Sequence, residues 1–483
     1  MAGSNSGLNS ANSANSDFLS QVQAHVQANK GRYLEELKSF IRQPSISTID
    51  VGMGEASQML AAFMRRLGIR TTIYPTRRHP VVFGEIGPED GAAPAGMRTL
   101  LVYGHYDVQP PEPLEKWVTP PFEPAVRDGK LYGRGTSDNK GQLFAHLKGL
   151  ESYLAVTGAE SGAAGAAARL PIKIKYLFEG EEETGSPNLR PFVLEHKELL
   201  RADAAIFSDS HYHESGRPSL ILGLKGLLPL ELRAKELASD QHSMKATVLP
   251  SAPWRLVTLL STIKGEDGLV KIDGFYDTVR APLPEEMEAA DRIPVNDTEI
   301  LKAHGAKHLL DNRFGRRYYH NMMFEPTFNI SGLVSGYTGK GTKTVLPAEA
   351  SVKIDIRLVP DMRPDDIHAK VVRHLEKHGY GDVEVARAEL GLIPSRTPIT
   401  NPYVEVARRA AADAWGDEPV IFPSTGGAGP NYIFTDDLGV PCIVIPFAAS
   451  DQANHAPNES LVLDGFEKGI VASAMVIKYM SES

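Results

Sequence analysis

At 483 residues the chain exceeds what one hydrophobic core organises, so two domains are the expectation. Hydrophobic residues make up 42% and charged residues 23%, an ordinary globular balance, and no apolar run is long enough to span a bilayer. The formal net charge of -9 argues against a nucleic-acid partner and gives no attraction to an anionic membrane surface.

In chain order, residues 1–16 are rich in Ser, Asn and Gly, with neither a basic start nor an apolar stretch. They read as a disordered leader rather than a secretory signal. An amphipathic helix then starts near residues 16–17 and runs through Phe18, Val22, Val26, Tyr33, Leu37 and Ile41. Strands are expected at 70–74, 81–86, 99–103, 172–178, 204–207 and 443–446, between helical patterns. Their apolar, β-branched character predicts an α/β domain around a mostly parallel, buried sheet.

The middle of the chain reads differently. Residues 220–233 predict one or two strands, 251–264 a helix capped by Ser251, and 327–331 and 350–358 further strands. A helix over 364–378 closes on Gly379, and a last strand covers 383–388. This β-α-β-β-α-β order predicts a split βαβ, ferredoxin-like α+β domain inserted into the larger one. The expected division is 17–213 with 394–483 for the outer domain and 214–393 for the insert, hinged near 212–215 and 392–397. The Ala/Gly-rich stretch from Ala155 reads as a surface loop, and 265–316 carries no clear pattern. The lone cysteine, Cys442, permits no intrachain disulfide and reads as a buried inert thiol. Together with the leader it favours the cytoplasm.

Histidine and acidic residues concentrate in segments that follow predicted strands. LLVYGHYDVQP holds His105 and Asp107, LYGRGTSDNKG holds Asp138, and YLFEGEEETGS holds Glu179, Glu181, Glu182 and Glu183. AAIFSDSHYH holds Asp209, His211 and His213, and DQANHAPNES holds His455 and Glu459. Carboxyl ends of parallel strands line the usual ligand crevice of such sheets, which would bring distant segments together. Imidazoles mixed with carboxylates suit zinc, manganese or cobalt, and the lack of thiolates speaks against a structural zinc site. Singly, each segment is ordinary loop chemistry; Glu179 and Glu181 read as solvated loop carboxylates.

In the order GHYDVQP, YGRGTSDNKG, EGEEETGS, IFSD and NHAPNE, with EKWVTPPF between the first two, the chain resembles the co-catalytic two-metal peptidases. That family includes carnosinase, Cys-Gly dipeptidase, aminoacylase and glutamate carboxypeptidase G, and the resemblance spans all but the leader. It implies a zinc-peptidase-type catalytic domain with an inserted lid and dimerisation domain, and hydrolysis of dipeptides bearing a free carboxylate. By the same resemblance His105 and Asp209 hold one divalent metal, Glu183 and His455 the other, and Asp138 bridges them, with a cis peptide bond to Asn139. Zinc is the implied metal, with manganese or cobalt as alternatives. Glu182 is the implied general base, acting on a hydroxide shared by the metals, and Asp107 orients His105. The register rests on EETGS; a slip of one residue would make Glu181 the base.

The resemblance also assigns substrate contacts. ELASDQHSM places His242 to reach a partner subunit's site in a homodimer and stabilise the oxyanion. Strict alternation in ASVKIDIRLVP sets Arg357 opposite the lid's core, where its guanidinium could bind a substrate carboxylate. Thr344 comes from the same lid. Gly426 and Gly427 offer backbone amides to an anion, although Ser424 and Ala428 replace the arginine and serine of the carnosinase loop. Asn401 stands where carnosinases carry a substrate-contacting histidine. Competing readings are an N-acyl amino acid amidohydrolase, a non-catalytic peptide-binding scaffold, and a one-metal protease using His211 and His213.

Overall fold

The computed structural model describes residues 5–88, 96–158, 170–387 and 391–483, with side chains from residue 15 onward. Strands Lys173–Glu179 and Ala204–Phe207 are buried on both faces, as is nearly all of Thr99–His105. Such strands need cover on both sides. Leu100, Val102, Ile174, Tyr176 and Ile206 pack on one face beneath the helices Asn5–Arg42, Lys140–Val156 and Leu463–Met480. Leu101, Tyr103, Leu177 and Phe207 pack on the other against Leu189, Phe192 and Phe434. Each such side chain contributes about 1.5–3 kcal/mol by leaving water, so the centre of the sheet is the rigid part.

The sheet has eight strands. From one edge they run Arg70–Tyr74, Val81–Ile86, Lys173–Glu179, Thr99–His105, Ala204–Phe207, Cys442–Val444, Ser219–Ile221 and Val420–Phe422. The four central strands are mutually parallel. Direction reverses on both sides, between Val81–Ile86 and its inner neighbour and between Ser219–Ile221 and Cys442–Val444. The sheet is therefore mixed, with a parallel centre whose carboxyl ends share one edge.

The lid is a second sheet in the order Asn329–Ser335, Glu349–Leu358, Gly226–Lys235 and Glu384–Arg387, antiparallel throughout. Helices Ala252–Ile263 and Pro364–Lys377 cover one face, meeting Leu228, Leu230, Leu232, Val352, Ile354 and Ile356. This is the expected ferredoxin-like arrangement.

Several details differ from expectation. Helix Asn5–Arg42 takes in residues 5–16, where the Ser/Asn/Gly-rich composition predicts a disordered leader. Extending a formed helix fixes one residue per hydrogen bond, whereas nucleating one fixes several. Residues 220–233 form parts of three strands, and Ser219–Ile221 belongs to the large sheet. Gly223–Leu224 pairs with Ser395–Arg396, and the chain enters the lid sheet at Gly226. Ser251 precedes its helix without a side-chain capping bond. The unpatterned stretch 265–316 contains the helices Pro284–Asp291 and Asp297–His304. The first of them joins Arg316–Phe324 in burying Ala290, Ile293, Tyr319 and Met323 against Val420, at the edge of the large sheet. Most of the Ala/Gly-rich stretch lies outside the described residues. Cys442 is buried, which pushes its thiol up to about 12. No described helix is long and apolar enough to cross a membrane.

Candidate metal centre

His105 is the last residue of a central strand, paired in register with Glu179 of the neighbouring parallel strand. Strand pairing thus brings the His105 and Glu182–Glu183 segments side by side. The amide of Tyr106 donates to Glu179 O at 2.9 Å, continuing the ladder past the strand end. Asp107, fully buried, then turns its carboxylate across this gap. Its Oδ1 accepts the amide of Glu182 (3.2 Å) and its Oδ2 the amide of Glu183 (3.1 Å). Asp107 Oδ1 also faces His105 Nδ1 at 3.3 Å. One carboxylate therefore orients the imidazole and the Glu182–Glu183 turn together.

Asp138 arrives from a different direction than expected. Its segment follows the short strand Lys130–Tyr132 of a small three-stranded sheet, not a strand of the large one, and it precedes helix Lys140–Val156. The Asp138–Asn139 peptide bond is cis. Asn139 Nδ2 donates to Ser208 O at 2.6 Å, tying this segment to the one that carries Asp209. Gly141 is required by space: a Cβ there would stand 1.9 Å from Thr136 O.

Two groups of potential ligands result, His105 with Asp138 and Asp209, and Asp138 with Glu183 and His455. His105 Nε2 stands 3.2 Å from Asp138 Oδ1 and 3.4 Å from Asp209 Oδ2. His455 Nε2 stands 3.0 Å from Asp138 Oδ2 and 3.2 Å from Glu183 Oε2. Asp138 is common to both groups, one oxygen turned to each. In the first group His105 and Asp138 are buried and Asp209 partly so, while His455 is half-exposed and opens the second to solvent.

The electrostatics are those of a site built for cations. Burial opposes charge on His105, yet Asp107, Asp138 and Asp209 outweigh it and hold its pKa well above the usual value. His455 is raised to about 10 by Asp138 and Glu183. Burial and neighbouring carboxylates push Glu182 well up and Glu183 to about 7. Without a cation, protons must offset the crowded carboxylates. His105 Nε2 is buried without a hydrogen-bond partner while aimed at two carboxylates, which fits a nitrogen lone pair reserved for a metal. The donor set, imidazole nitrogens with carboxylate oxygens, fits a divalent first-row ion.

Other sequence candidates fall elsewhere. Glu179 and Glu181 are not solvated: each is at most 2% exposed, because the first ends a buried strand and the second is clamped beneath it. Glu179 Oε1 accepts from Tyr103 Oη (2.5 Å) and Ser186 Oγ (2.8 Å), and Glu181 accepts from Asn188 Nδ2. His211 is exposed and His213 is buried against Ser215 Oγ (2.8 Å); neither joins the two ligand groups. Asn401 caps helix Pro402–Trp415, its Oδ1 accepting the amide of Tyr403 at 3.0 Å, so its side chain is committed to the fold. His242 and Thr344 sit exposed on the lid, at a two-stranded ribbon in which His242 pairs with Val345, the amide of Ser243 donates to Thr344 O, and His242 Nδ1 accepts the amide of Met244. Arg357 lies opposite the lid's core, as the alternation predicted, with Lys225 close enough to feel its charge. Gly426 and Gly427 line a cleft of about 970 Å³ that begins beside Asp209, at Ser210 and His211, and is walled by Tyr319 and Met322.

Gln109 and Arg134 carry no signal in the sequence, and Glu459, singled out there with His455, has no role assigned by it. Gln109 Nε2 donates to Glu183 Oε2 at 2.9 Å, and Arg134 and Glu459 form a buried ion pair at 2.8 Å beneath Asp138. All three lie in the segments DVQP, YGRG and NHAPNE; Gln109 and Arg134 are neither histidine nor acidic, so residue type does not mark them.

Residues 101–479 match the peptidase family M20/M25/M40. The Beta-Ala-His dipeptidase of Rattus norvegicus is 28% identical over 390 residues, covering 79% of this chain and 76% of that protein. The Cys-Gly metallodipeptidase dug1 of Schizosaccharomyces pombe is 25% identical over 473 residues, covering 94% and 96%. The M20 family metallo-carboxypeptidase Sso-CP2 from Sulfolobus solfataricus superposes with a TM-score of 0.84 at 32% identity, covering 93% of this chain and 99% of that one. Human carnosine dipeptidase 1 gives a TM-score of 0.76 at 25% identity, covering 96% and 100%. The chain belongs to peptidase family M20/M25/M40 and is a metallopeptidase.

Proposed function

We propose that this chain is a dipeptidase that hydrolyses the amide bond of dipeptides with a free carboxylate, using two divalent ions, zinc or manganese. The observation that carries the reading is the pair of ligand groups sharing Asp138, with Glu182 beside them. The names of the similar dipeptidases support it. In this reading His105, Asp138 and Asp209 hold one ion, and Asp138, Glu183 and His455 the other. Ions bound there polarise the scissile carbonyl and acidify the attacking water. Glu182 accepts that water's proton and delivers it to the amide nitrogen as the C–N bond breaks. Its backbone is fixed by Asp107, so the carboxylate approaches from a defined side.

Arg357 and the amides of Gly426 and Gly427 are the groups we assign to the substrate carboxylate, with Thr344 as a further lid contact. The cleft beside Asp209 supports a bound peptide at this place. We assign His242 to the site of a partner subunit in a homodimer. Exposed Ile330, Leu333 and Val334 on the lid's edge strand, with Trp254 and Val257 on its helix, support such an interface. The lone buried thiol agrees with a reducing compartment such as the cytoplasm.

The test is hydrolysis of dipeptides, tripeptides and N-acetyl amino acids by metal-stripped protein, before and after adding zinc or manganese. Dipeptide cleavage that returns with metal and disappears in Glu182→Gln is the expected result. Preference for N-acetyl amino acids would make the chain an amidohydrolase of the aminoacylase kind. Absence of both metal binding and turnover would leave a peptide-binding scaffold.

A further inference from the structure

Asp138 is held from behind by a carboxylate that no step of the proposed reaction uses. Glu459 is 0% exposed and accepts five hydrogen bonds from one short loop. Its Oε2 takes Arg134 Nη1 (2.8 Å) and the amide of Gly135 (3.0 Å). Its Oε1 takes the amides of Ser137 (2.9 Å) and Asp138 (3.0 Å) and the hydroxyl of Ser137 (3.0 Å). The backbone closes the same junction, since Gly133 N donates to Glu459 O at 3.0 Å and Ser460–Val462 pairs with Lys130–Tyr132. Arg134 is 1% exposed, donates to Pro110 O at 3.3 Å, and lies over the Trp117 ring at 5.5 Å.

Burying an ion pair gives no stability that apolar side chains could not supply. This one has a different product: three backbone amides converge on one anion, which sets the path of the loop that ends at Asp138. The same segment carries His455, four positions before Glu459 and 3.0 Å from Asp138 Oδ2. A single stretch thus supplies a ligand and anchors the ligand common to both groups.

We infer that Glu459, with Arg134, is a positioning residue that fixes the shared carboxylate of Asp138 and thereby sets the affinity and geometry of the paired cation site. The inference rests on the two-metal reading above. Its test is titration of metal-stripped full-length protein with cobalt(II), read by visible absorption and calorimetry, with circular dichroism as the check on folding. Wild type should bind two ions. Folded Glu459→Gln and Arg134→Lys should bind at least one ion about tenfold or more weaker, with shifted cobalt bands. Glutamine turns an N–H toward amides that need an acceptor, and lysine keeps the charge while losing the fork. If both variants misfold, Ser137→Ala removes one of the five bonds and should shift the bands in a stable protein. Wild-type affinity and spectrum in the folded variants, or in Ser137→Ala when only that variant folds, would overturn the inference. Wild type that takes up no cobalt would instead overturn the two-metal reading, and this inference with it.

Discussion

Asp107 Oδ1 accepts the backbone amide of Glu182 at 3.2 Å, so the residue facing His105 from behind also fixes the residue assigned as general base. Replacing Asp107 by Asn would set an N–H against the amide of Glu182 or of Glu183. The expected result is a fall of about 10–100-fold in metal affinity or activity, with the fold retained. Calorimetric metal titration beside steady-state kinetics measures it; wild-type values in both would remove Asp107 from the site.

Chelation should destabilise the protein. Asp138, Glu182, Glu183 and Asp209 crowd one volume, and burial adds to their mutual repulsion. Each ion restored at a hundred times its dissociation constant contributes about 2.7 kcal/mol. Thermal unfolding with and without chelator, followed by zinc or manganese, should show a midpoint that drops and recovers. A midpoint indifferent to metal would contradict a filled dimetal site.

Glu179 makes a pH signature separate from catalysis. Burial raises its pKa from 4.5 to about 8, with Asp107 adding to the shift and the hydrogen bond from Tyr103 opposing it. Between those two values the folded state binds the proton and the unfolded state does not. Its contribution is therefore fully present below pH 4.5 and is lost as pH rises through about 8. In metal-free protein, Glu179→Gln should abolish that part of the stability loss, seen as a flatter unfolding midpoint over this range. Parallel pH profiles for the two proteins would refute the assignment.

Arg357→Lys tests the carboxylate assignment. Lysine keeps the charge but not the planar fork, so KM for dipeptides should rise by about tenfold with kcat little changed. Dipeptide amides, which lack the carboxylate, should respond equally poorly to both proteins. An unchanged KM would move carboxylate recognition to other groups.

Much of this was legible in the linear chain because the information was local. Strands Arg70–Tyr74, Val81–Ile86 and Ala204–Phe207 occur where apolar, β-branched runs lie between helical patterns. Alternation alone set Val352, Ile354 and Ile356 inward and Arg357 outward, because a strand turns successive side chains to opposite faces. The histidine and acidic segments could be picked out by residue type, and their order carried the family resemblance. What escaped depended on partners. Glu179 and Glu181 look like solvated loop carboxylates until the neighbouring strand and Asn188 enclose them.

By itself, then, the sequence determined the two sheet types and the segments rich in potential donor residues, since composition and periodicity are local properties. Only the tertiary structure decided which of those donors meet. Parallel pairing of Thr99–His105 with Lys173–Glu179 sets His105 beside the glutamate turn. The Asp138 loop, coming from a separate small sheet, reaches the same point through Glu459 and Arg134. Asn401, by contrast, spends its oxygen on a helix end. Contacts between segments distant in sequence depend on strand order and loop path, and no window of residues contains either.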